Sequence, residues 1–205
     1  MGPGEIRGKR KKTTKKIKAG KERVKVDFFN SLESIKEYYR LHCVTRKRQG
    51  VPPQPFFLFK KIYDHVMSRG MGFVTLASYH NKNIAGSVFF HHRRGVFFKY
   101  GASDTRYQHV RANNLLMWEA IKWGCRNGYK SFCFGRTDLE NHGLRRFKSG
   151  WGTTENIINY YKYDLQKEAF IKDSPTIKPV YKKILRKMPI PILKTTGILL
   201  YKHIG

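Results

Sequence analysis

Acidic residues are scarce in this sequence of 205 residues. Asp and Glu number 14 against 42 Lys and Arg, so the formal net charge is +28. Such an excess of one sign destabilises a compact state by self-repulsion unless an anionic partner is near. The imbalance therefore predicts a phosphate-rich partner: tRNA, a nucleotide-linked or lipid-linked pyrophosphate, or an anionic membrane surface.

Cysteine is also scarce. The three residues, Cys43, Cys125 and Cys133, show no CxxC spacing, and their odd number argues against a closed disulfide framework. Each of them fits the usual role of a free cysteine, a small buried apolar residue. The pattern is typical of a reducing cytoplasm.

Long apolar runs are absent as well. The charged N-terminus has no apolar h-region after it, so we predict no secretory signal. The longest C-terminal apolar stretch, MPIPILKTTGILLY, is interrupted by Lys194 and two prolines and is shorter than the roughly 20 residues of a spanning helix. We therefore expect a cytoplasmic protein, with peripheral contact at the inner face of the membrane as its closest approach to lipid.

Motifs for metal or nucleophilic chemistry are missing too. His91 and His92 are neighbours in a predicted strand and point to opposite faces, and no set of His, Cys and acid has zinc spacing. No Walker loop, GxSxG elbow or HExxH motif occurs. We predict no metal site.

Both ends of the chain are basic. Residues 1–25 contain eleven Lys or Arg against Glu5 and Glu22, a net charge of +9. We interpret residues 1–27 as a basic linker or helical arm. A solvated tail or a nuclear-localisation-like patch explains the charge of the run GKRKKTTKK equally well. Residues 174–205 contain seven Lys or Arg and no acid, and form a predicted basic amphipathic segment that is broken at Pro189 and Pro191.

The apolar residues of this C-terminal segment have two alternative roles. They either pack on the domain or lie on an anionic membrane. The residues are Ile192, Leu193, Ile198, Leu199 and Tyr201.

Helices precede strands in the middle of the chain. Asn30 as N-cap, with Glu33 three residues later, begins a predicted helix that ends at Gly50, and a second helix ends at Gly70. The first helix has an apolar face composed of Leu32, Ile35, Tyr39, His42 and Cys43.

Three β-rich runs follow, GFVTLASYH, IAGSVFFHH and VFFKYGA, and their short polar turns predict an antiparallel meander. The rest is read as a helix near NNLLMWEAIKWGCRNG, a strand YKSFCFG, a loop with a brief helix, and a strand NIINYYKYD. The helix has a mostly buried face composed of Leu116, Ala120, Ile121, Trp123 and Gly124. This order predicts an α+β fold in which a helix crosses between two neighbouring strands.

Five stretches carry a family resemblance: TRKRQGVPPQP, VFFKYGASD, ANNLLMWEAIKWG, FCFGRTDLENHGLRRFKSGWG and NYYKYDL. In this order they resemble the second acyltransferase-like domain of FemABX-like proteins, a group best known for attaching amino acids from aminoacyl-tRNA to peptidoglycan precursors. The resemblance implies a GCN5-related N-acetyltransferase (GNAT) fold, with a central mostly antiparallel sheet flanked by helices, which we assign to residues 28–173. Relatives of this kind usually carry two such domains, and a first domain is not visible here.

One segment departs from ordinary GNAT acetyltransferases, which hold the CoA pyrophosphate with a Q/R-x-x-G-x-G/A loop at a helix N-terminus. The corresponding SDTRYQHVRANNLL lacks these glycines. We therefore expect no resident cofactor, and favour aminoacyl-tRNA over acyl-CoA as the acyl donor.

The predicted catalytic residues are Lys148, Phe147 and Asp104. A Phe-Lys pair at this place in the resemblance contributes to binding of the tRNA acceptor end and to transfer. Phe147 would then be a stacking platform, and Lys148 a cation for the terminal phosphate or for the developing oxyanion. Asp104 is the only acid near enough in its loop to act as a general base, with capping of a local turn as the alternative.

The predicted substrate-binding residues are Tyr100, Arg136, Asp138, Arg46 and Arg48. Tyr100 corresponds to a substrate-contacting tyrosine in the resemblance, and Arg136 and Asp138 could form an ion pair that shapes the cleft. Arg46 and Arg48 could hold a pyrophosphate, or could simply complement the helix dipole.

The sequence predicts an aminoacyl or acyl transferase that acts on a peptidoglycan or other cell-envelope precursor. Two alternatives stay open: a CoA-dependent or carrier-dependent N-acyltransferase acting on a sugar or exopolysaccharide, and a non-catalytic module that binds tRNA or another polyanion.

Overall fold

The computed structural model describes residues 24–171 and 179–201. Six helices and seven strands are numbered here in chain order. They are β1 (Val24–Phe29), α1 (Leu32–Gln49), α2 (Phe56–Ile62), β2 (Gly72–Tyr79), β3 (Lys82–His92), β4 (Gly95–Ser103), α3 (Ala112–Arg126), β5 (Ser131–Cys133), α4 (His142–Ser149), β6 (Lys162–Asp164), β7 (Ala169–Ile171), α5 (Pro179–Lys187) and α6 (Ile190–Tyr201). A π-helical turn (Tyr63–Met67) extends α2, and a 3-10 helix (Thr105–Val110) precedes α3.

The central sheet has five strands in the order β1-β2-β3-β4-β5. Strands β1 to β4 pair in antiparallel fashion, and β4 pairs with β5 in parallel after the crossover through α3. The predicted meander and the predicted helix crossing between neighbouring strands are both confirmed. The predicted α+β class with a mostly antiparallel sheet is confirmed as well.

Alternating side chains of the central strands pack on opposite faces of the sheet. Val74 and Val88 face the core formed with α1 and α2. Phe73 and Phe89, one residue along, face the core formed with α3. The result is a three-layer arrangement of helices, sheet and helix.

The first strand was not predicted. Residues 24–27, expected to belong to a basic linker or helical arm, pair with β2 instead. Val24 is buried and Val26 packs beside it in the core under α3. Residues 1–23 of the predicted arm lie outside the described residues.

Helix α1 begins one residue later than predicted. Ser31, not Asn30, is the N-cap, and it exchanges hydrogen bonds with Ser34 in a capping box. The helix ends at Gly50 as predicted, in a left-handed conformation with φ of 70°. Of its predicted apolar face only Leu32 is not fully buried.

The predicted buried face of α3 is also largely confirmed. Leu116, Ala120 and Gly124 are buried, while Ile121 and Trp123 are half-buried.

The predicted strand NIINYYKYD is mostly wrong. Only its last three residues form a strand, β6, which pairs with β7 in a separate two-stranded sheet. The residues before β6 lie exposed and irregular. The brief helix predicted after β5 is confirmed as α4.

None of the helices within residues 24–171 and 179–201 is both long and apolar enough to cross a membrane. Among these residues no group of His, Cys, Asp and Glu is arranged to hold a metal ion.

Candidate active site

The site lies where two neighbouring strands separate. β4 pairs with β5 only over Gly95–Phe97, and the rest of β4 continues without β5 beside it. After β5 the chain turns away at Gly135, whose φ is 69° and whose added Cβ would lie 3.1 Å from the Phe98 carbonyl oxygen. A cavity of about 1440 Å³ opens between the separated segments, with residues 98–103 and 134–136 in its walls.

Lys148 reaches this cavity from α4. The residue is buried, and its Nζ donates to the carbonyl oxygens of Gly135 at 2.7 Å and Arg136 at 3.1 Å. Burial lowers the pKa of the Lys148 ammonium from its ordinary range. An ammonium has three N–H donors, and the third has no partner within the described part of the chain. The lysine is therefore a fixed cation at the cavity wall.

Phe147 is half-buried and lines the same cavity. Its ring also meets Trp151 edge-on, with centroids 6.2 Å apart, and packs on the core under α3. Phe147 therefore packs on the core and also borders the cavity.

Asp104 is buried at the end of β4. Its Oδ1 accepts from the backbone N–H of Arg106 at 3.1 Å, and the Arg106 guanidinium donates to both carboxylate oxygens. These hydrogen bonds hold the pKa of Asp104 below its usual range. The contacts are those of the turn-capping alternative, and a carboxylate so engaged is a poor proton acceptor.

Tyr100 is half-buried on β4 and lines the cavity. Its ring packs on Phe59 with centroids 5.5 Å apart, and burial raises the pKa of its phenol. Tyr38 lies close by, fully buried and also in the cavity wall. The Tyr38 hydroxyl has no hydrogen-bond partner among the described residues, and burial raises its pKa well above the ordinary value.

Arg46 and Arg48 reach the cavity from the C-terminal end of α1. The Arg46 guanidinium donates to the Pro52 carbonyl oxygen and to the Tyr201 hydroxyl, each at 3.2 Å. Next to them, His42 Nε2 lies 2.7 Å from Gln54 Oε1, and burial lowers the pKa of His42 to about 4.

Arg136 and Asp138 do not form the predicted direct ion pair. Arg136 lies over the Tyr160 ring, 4.9 Å from its centroid, and the Tyr160 phenol is the main cause that raises the pKa of Arg136. Asp138 acts on Arg136 only from a distance and lies outside the cavity lining. Its carbonyl oxygen accepts from the Asn141 amide in the turn before α4.

The N-terminus of α3 opens onto the same cavity. Arg111, in a left-handed conformation with φ of 54°, precedes the helix, and no side chain of the described part of the chain caps it. Ala112 and Asn113 line the cavity with it. Uncapped N–H groups and the helix dipole favour an anion at such a place.

Positive charge dominates the cavity lining. Among the residues that the structure describes, the only acid in the lining is Asp104, which is paired with Arg106. The cations are Arg46, Arg48, Lys99, Arg111, Arg136 and Lys148.

The structure thus brings seven of the eight predicted site residues to one cavity and leaves out Asp138. Their roles stay predictions. Sequence reasoning missed Tyr38 and Arg111. Tyr38 could have been found because it stands three residues after Ile35, which lies on the predicted apolar face. Arg111 could have been found because it stands three residues after Gln108, where the Q-x-x-G loop has its first glycine.

Residues 6–155 match the acetyltransferase (GNAT) domain family. The chain belongs to this family. The GNAT domain is 30% identical over 106 residues to the lipid II:glycine glycyltransferase of Staphylococcus haemolyticus, a match that covers 45% of this chain and 24% of that protein. The predicted GNAT fold and the distant FemABX-type likeness are confirmed.

Solved structures agree on the fold. FemX superposes with a TM-score of 0.63 at 17% identity, covering 70% of this chain and 54% of FemX. An aminoglycoside acetyltransferase from an uncultured soil metagenomic sample gives a TM-score of 0.55 at 15% identity, covering 71% of this chain and 98% of that one. The GNAT domain therefore spans about half of FemX and a smaller share of the glycyltransferase.

Proposed function

We propose that this GNAT acyltransferase domain moves an amino acid from aminoacyl-tRNA to an amino group of a peptidoglycan or other cell-envelope precursor. The glycyltransferase relative, whose name specifies lipid II and glycine, supports the acceptor class. A lipid-linked acceptor would bring the domain to a membrane surface, whereas a nucleotide-linked one would not require this.

The charge of the cavity carries the proposal. Within the described ranges, six Lys or Arg side chains line it against one already paired acid. Its volume, about 1440 Å³, also exceeds the roughly 300–1,000 Å³ of ordinary small-molecule pockets. Both features suit two large substrates that carry phosphates.

The reaction needs no covalent enzyme intermediate. The acceptor amine attacks the ester carbonyl carbon, a C–N bond forms, and the C–O bond to the tRNA ribose breaks. The amine loses one proton and the departing ribose oxygen gains one. Holding the reactants together supplies part of the rate increase. The Lys148 ammonium, fixed by two backbone carbonyls, would stabilise the negative oxygen of the tetrahedral intermediate.

The test is transfer of radiolabelled amino acid from a pool of charged bacterial tRNAs to nucleotide-linked and lipid-linked muropeptides. Wild type is compared with Lys148→Ala, and with Arg146→Ala as a matched control, because Arg146 is an exposed cation on the same helix. We expect label transfer by wild type and Arg146→Ala only.

Two results would contradict the proposal. Equal loss of folding and transfer in Lys148→Ala would remove the assigned role of the lysine. Absence of transfer by wild type, with tRNA still bound, would contradict transfer by this chain alone and favour a binding module.

A second candidate is an N-acyltransferase that uses CoA or a carrier-bound acyl group. The observation in its favour is the uncapped N-terminus of α3 at the cavity, entered through the left-handed Arg111. Saturable binding of acetyl-CoA by calorimetry, competed by free CoA, would favour this candidate over the tRNA-dependent reaction.

A further inference from the structure

The two C-terminal helices expose aliphatic side chains beside cations. On α6, Ile192 is 52% exposed and Leu199 is 59% exposed. On α5, Tyr181 and Ile184 are also exposed, three residues apart. Covering side chains of this kind with an apolar medium lowers the free energy.

Helix α6 is held in one orientation by its opposite side. Leu193 is buried, and Gly197 lies so close to the Pro53 carbonyl oxygen that a Cβ would clash there. Tyr201 receives the hydrogen bond from Arg46, and Lys194 Nζ lies 5.3 Å from the centroid of the Tyr39 ring. The side with Ile192 and Leu199 is therefore turned away from the domain.

The outward side of α6 carries no charge. Between Ile192 and Leu199 stand Thr195 and Thr196, whose hydroxyls donate to the carbonyl oxygens of Pro191 at 3.3 Å and Ile192 at 3.0 Å. These internal hydrogen bonds reduce the need of the hydroxyls for water. The outward side can therefore enter an apolar boundary at a smaller desolvation cost.

The exposed charges of α5 and α6 are all cations. α5 exposes Lys182, Lys183, Arg186 and Lys187. Residues 179–201 contain no Asp or Glu. The charge is complementary to an anionic surface, and a basic helix with an apolar side is typical of segments that lie at a membrane interface.

We infer that α5 and α6 form a docking surface for an anionic lipid bilayer, with Ile192 and Leu199 entering the headgroup boundary and the α5 cations meeting lipid phosphates. The exposed apolar side chains of the two helices are aliphatic except for Tyr181. Nucleic acid would favour aromatic rings on which bases stack, so lipid is the better match. Contact is peripheral.

The test is co-sedimentation of the full chain with vesicles of phosphatidylcholine alone and of phosphatidylcholine with phosphatidylglycerol. We expect binding to the anionic vesicles only, reduced by high salt. Ile192→Ser with Leu199→Ser should weaken it about tenfold. The matched control is Ile157→Ser with Ile158→Ser, since these residues are 72% and 63% exposed on a separate segment, and it should bind as wild type does.

A second pair of variants tests the cations. Lys182→Gln with Lys183→Gln should weaken vesicle binding about 25-fold, or about fivefold for each charge near the bilayer. Arg93→Gln with Arg94→Gln removes two exposed charges from the β3–β4 turn and should have a much smaller effect.

Unchanged vesicle binding by the Ile192/Leu199 variant would overturn the inference, and so would equal binding to both kinds of vesicle. Loss of tRNA binding in that variant, with vesicle binding kept, would assign the surface to nucleic acid instead. Binding is measured without acyl donor or acceptor, so the outcome is separate from that of the proposed aminoacyl transfer.

Discussion

Lys148 and Asp104 are both buried ionisable residues that line one cavity, but only Asp104 has a partner of opposite charge. Asp104 at the end of β4 meets a full positive charge, the Arg106 guanidinium. Lys148 on α4 meets two neutral carbonyl oxygens. The carboxylate is therefore neutralised where it stands, whereas the ammonium keeps a net positive charge at the cavity wall.

This difference in charged partners indicates different roles for the two residues. A paired acid that caps a turn stabilises local structure. A fixed cation without a counterion can act on a charge that the substrate brings or develops. We therefore propose that Lys148 acts in the reaction and that Asp104 positions the segment between β4 and α3.

The largest expected effect is that of Lys148→Met, which removes the charge and keeps a long side chain. Acyl transfer should fall about 100- to 1000-fold, the usual range for loss of one oxyanion-stabilising group. Steady-state assays measure the rate of transfer, and urea unfolding measures the stability of the variant. A loss of stability large enough to explain the lost activity would contradict the proposed role of Lys148 in transfer.

Tyr38→Phe extends the comparison to a buried hydroxyl that has neither a charged partner nor a neutral hydrogen-bond partner among the described residues. Removing the unsatisfied hydroxyl should stabilise the free protein by about 1 kcal/mol, because its burial is uncompensated. Affinity for the nucleotide-linked acceptor should fall about fivefold if the ligand supplies the missing partner.

Tyr39→Phe is the matched control for this variant. Tyr39 is the neighbouring buried tyrosine on α1 and does not line the cavity. Its hydroxyl interacts with Cys43, so its removal should leave acceptor affinity unchanged. Equal affinity losses in both variants would remove the special role of Tyr38.

Asp104→Asn should have a smaller effect. Asn keeps an oxygen that can accept from the Arg106 amide, so the loss of unfolding free energy should stay below about 1 kcal/mol. Transfer should change by less than about threefold, since no proton passes through this residue in our assignment. A loss as large as that of Lys148→Met would restore Asp104 as a general base.

The smallest effect is a pH dependence. The Arg106 hydrogen bonds lower the pKa of Asp104 in the folded protein, so its stabilising contribution is present above the unfolded value of about 3.9 and is lost as pH falls through the lower folded value. The stability difference between wild type and Asp104→Asn should shrink over that acidic range. A difference that instead shrank near neutral pH would mean that another group is responsible.

Residue patterns predicted much of the domain. The spacing of apolar residues predicted the meander and the α3 crossover, and Gly50 predicted the end of α1. All three predictions are confirmed. β1 was missed because it follows directly on the basic run of residues 1–23, so that Val24, Lys25, Val26 and Asp27 were counted with that arm. The strand predicted at NIINYY failed because its apolar residues are exposed and find no neighbouring strand, since β propensity needs a surface on which to pack.

The site was predicted in part. The resemblance indicated Lys148 and Tyr100, which line the cavity. Arg136 and Asp138 looked like an ion pair because they stand two residues apart, yet Arg136 stacks on Tyr160. Spacing along the chain does not reveal a ring that arrives from another segment.

By itself, the sequence determined the order of helices and strands from α1 to α4, the helix end at Gly50 and the excess of positive charge, because periodicity, backbone freedom and composition are local properties. The tertiary structure alone decided that Arg46, Tyr100, Arg111 and Lys148 share one cavity. It also decided that Lys148 is held by two carbonyls while Asp104 is paired. The physical reason is the separation of β4 from β5, which opens the cavity and places distant segments around it.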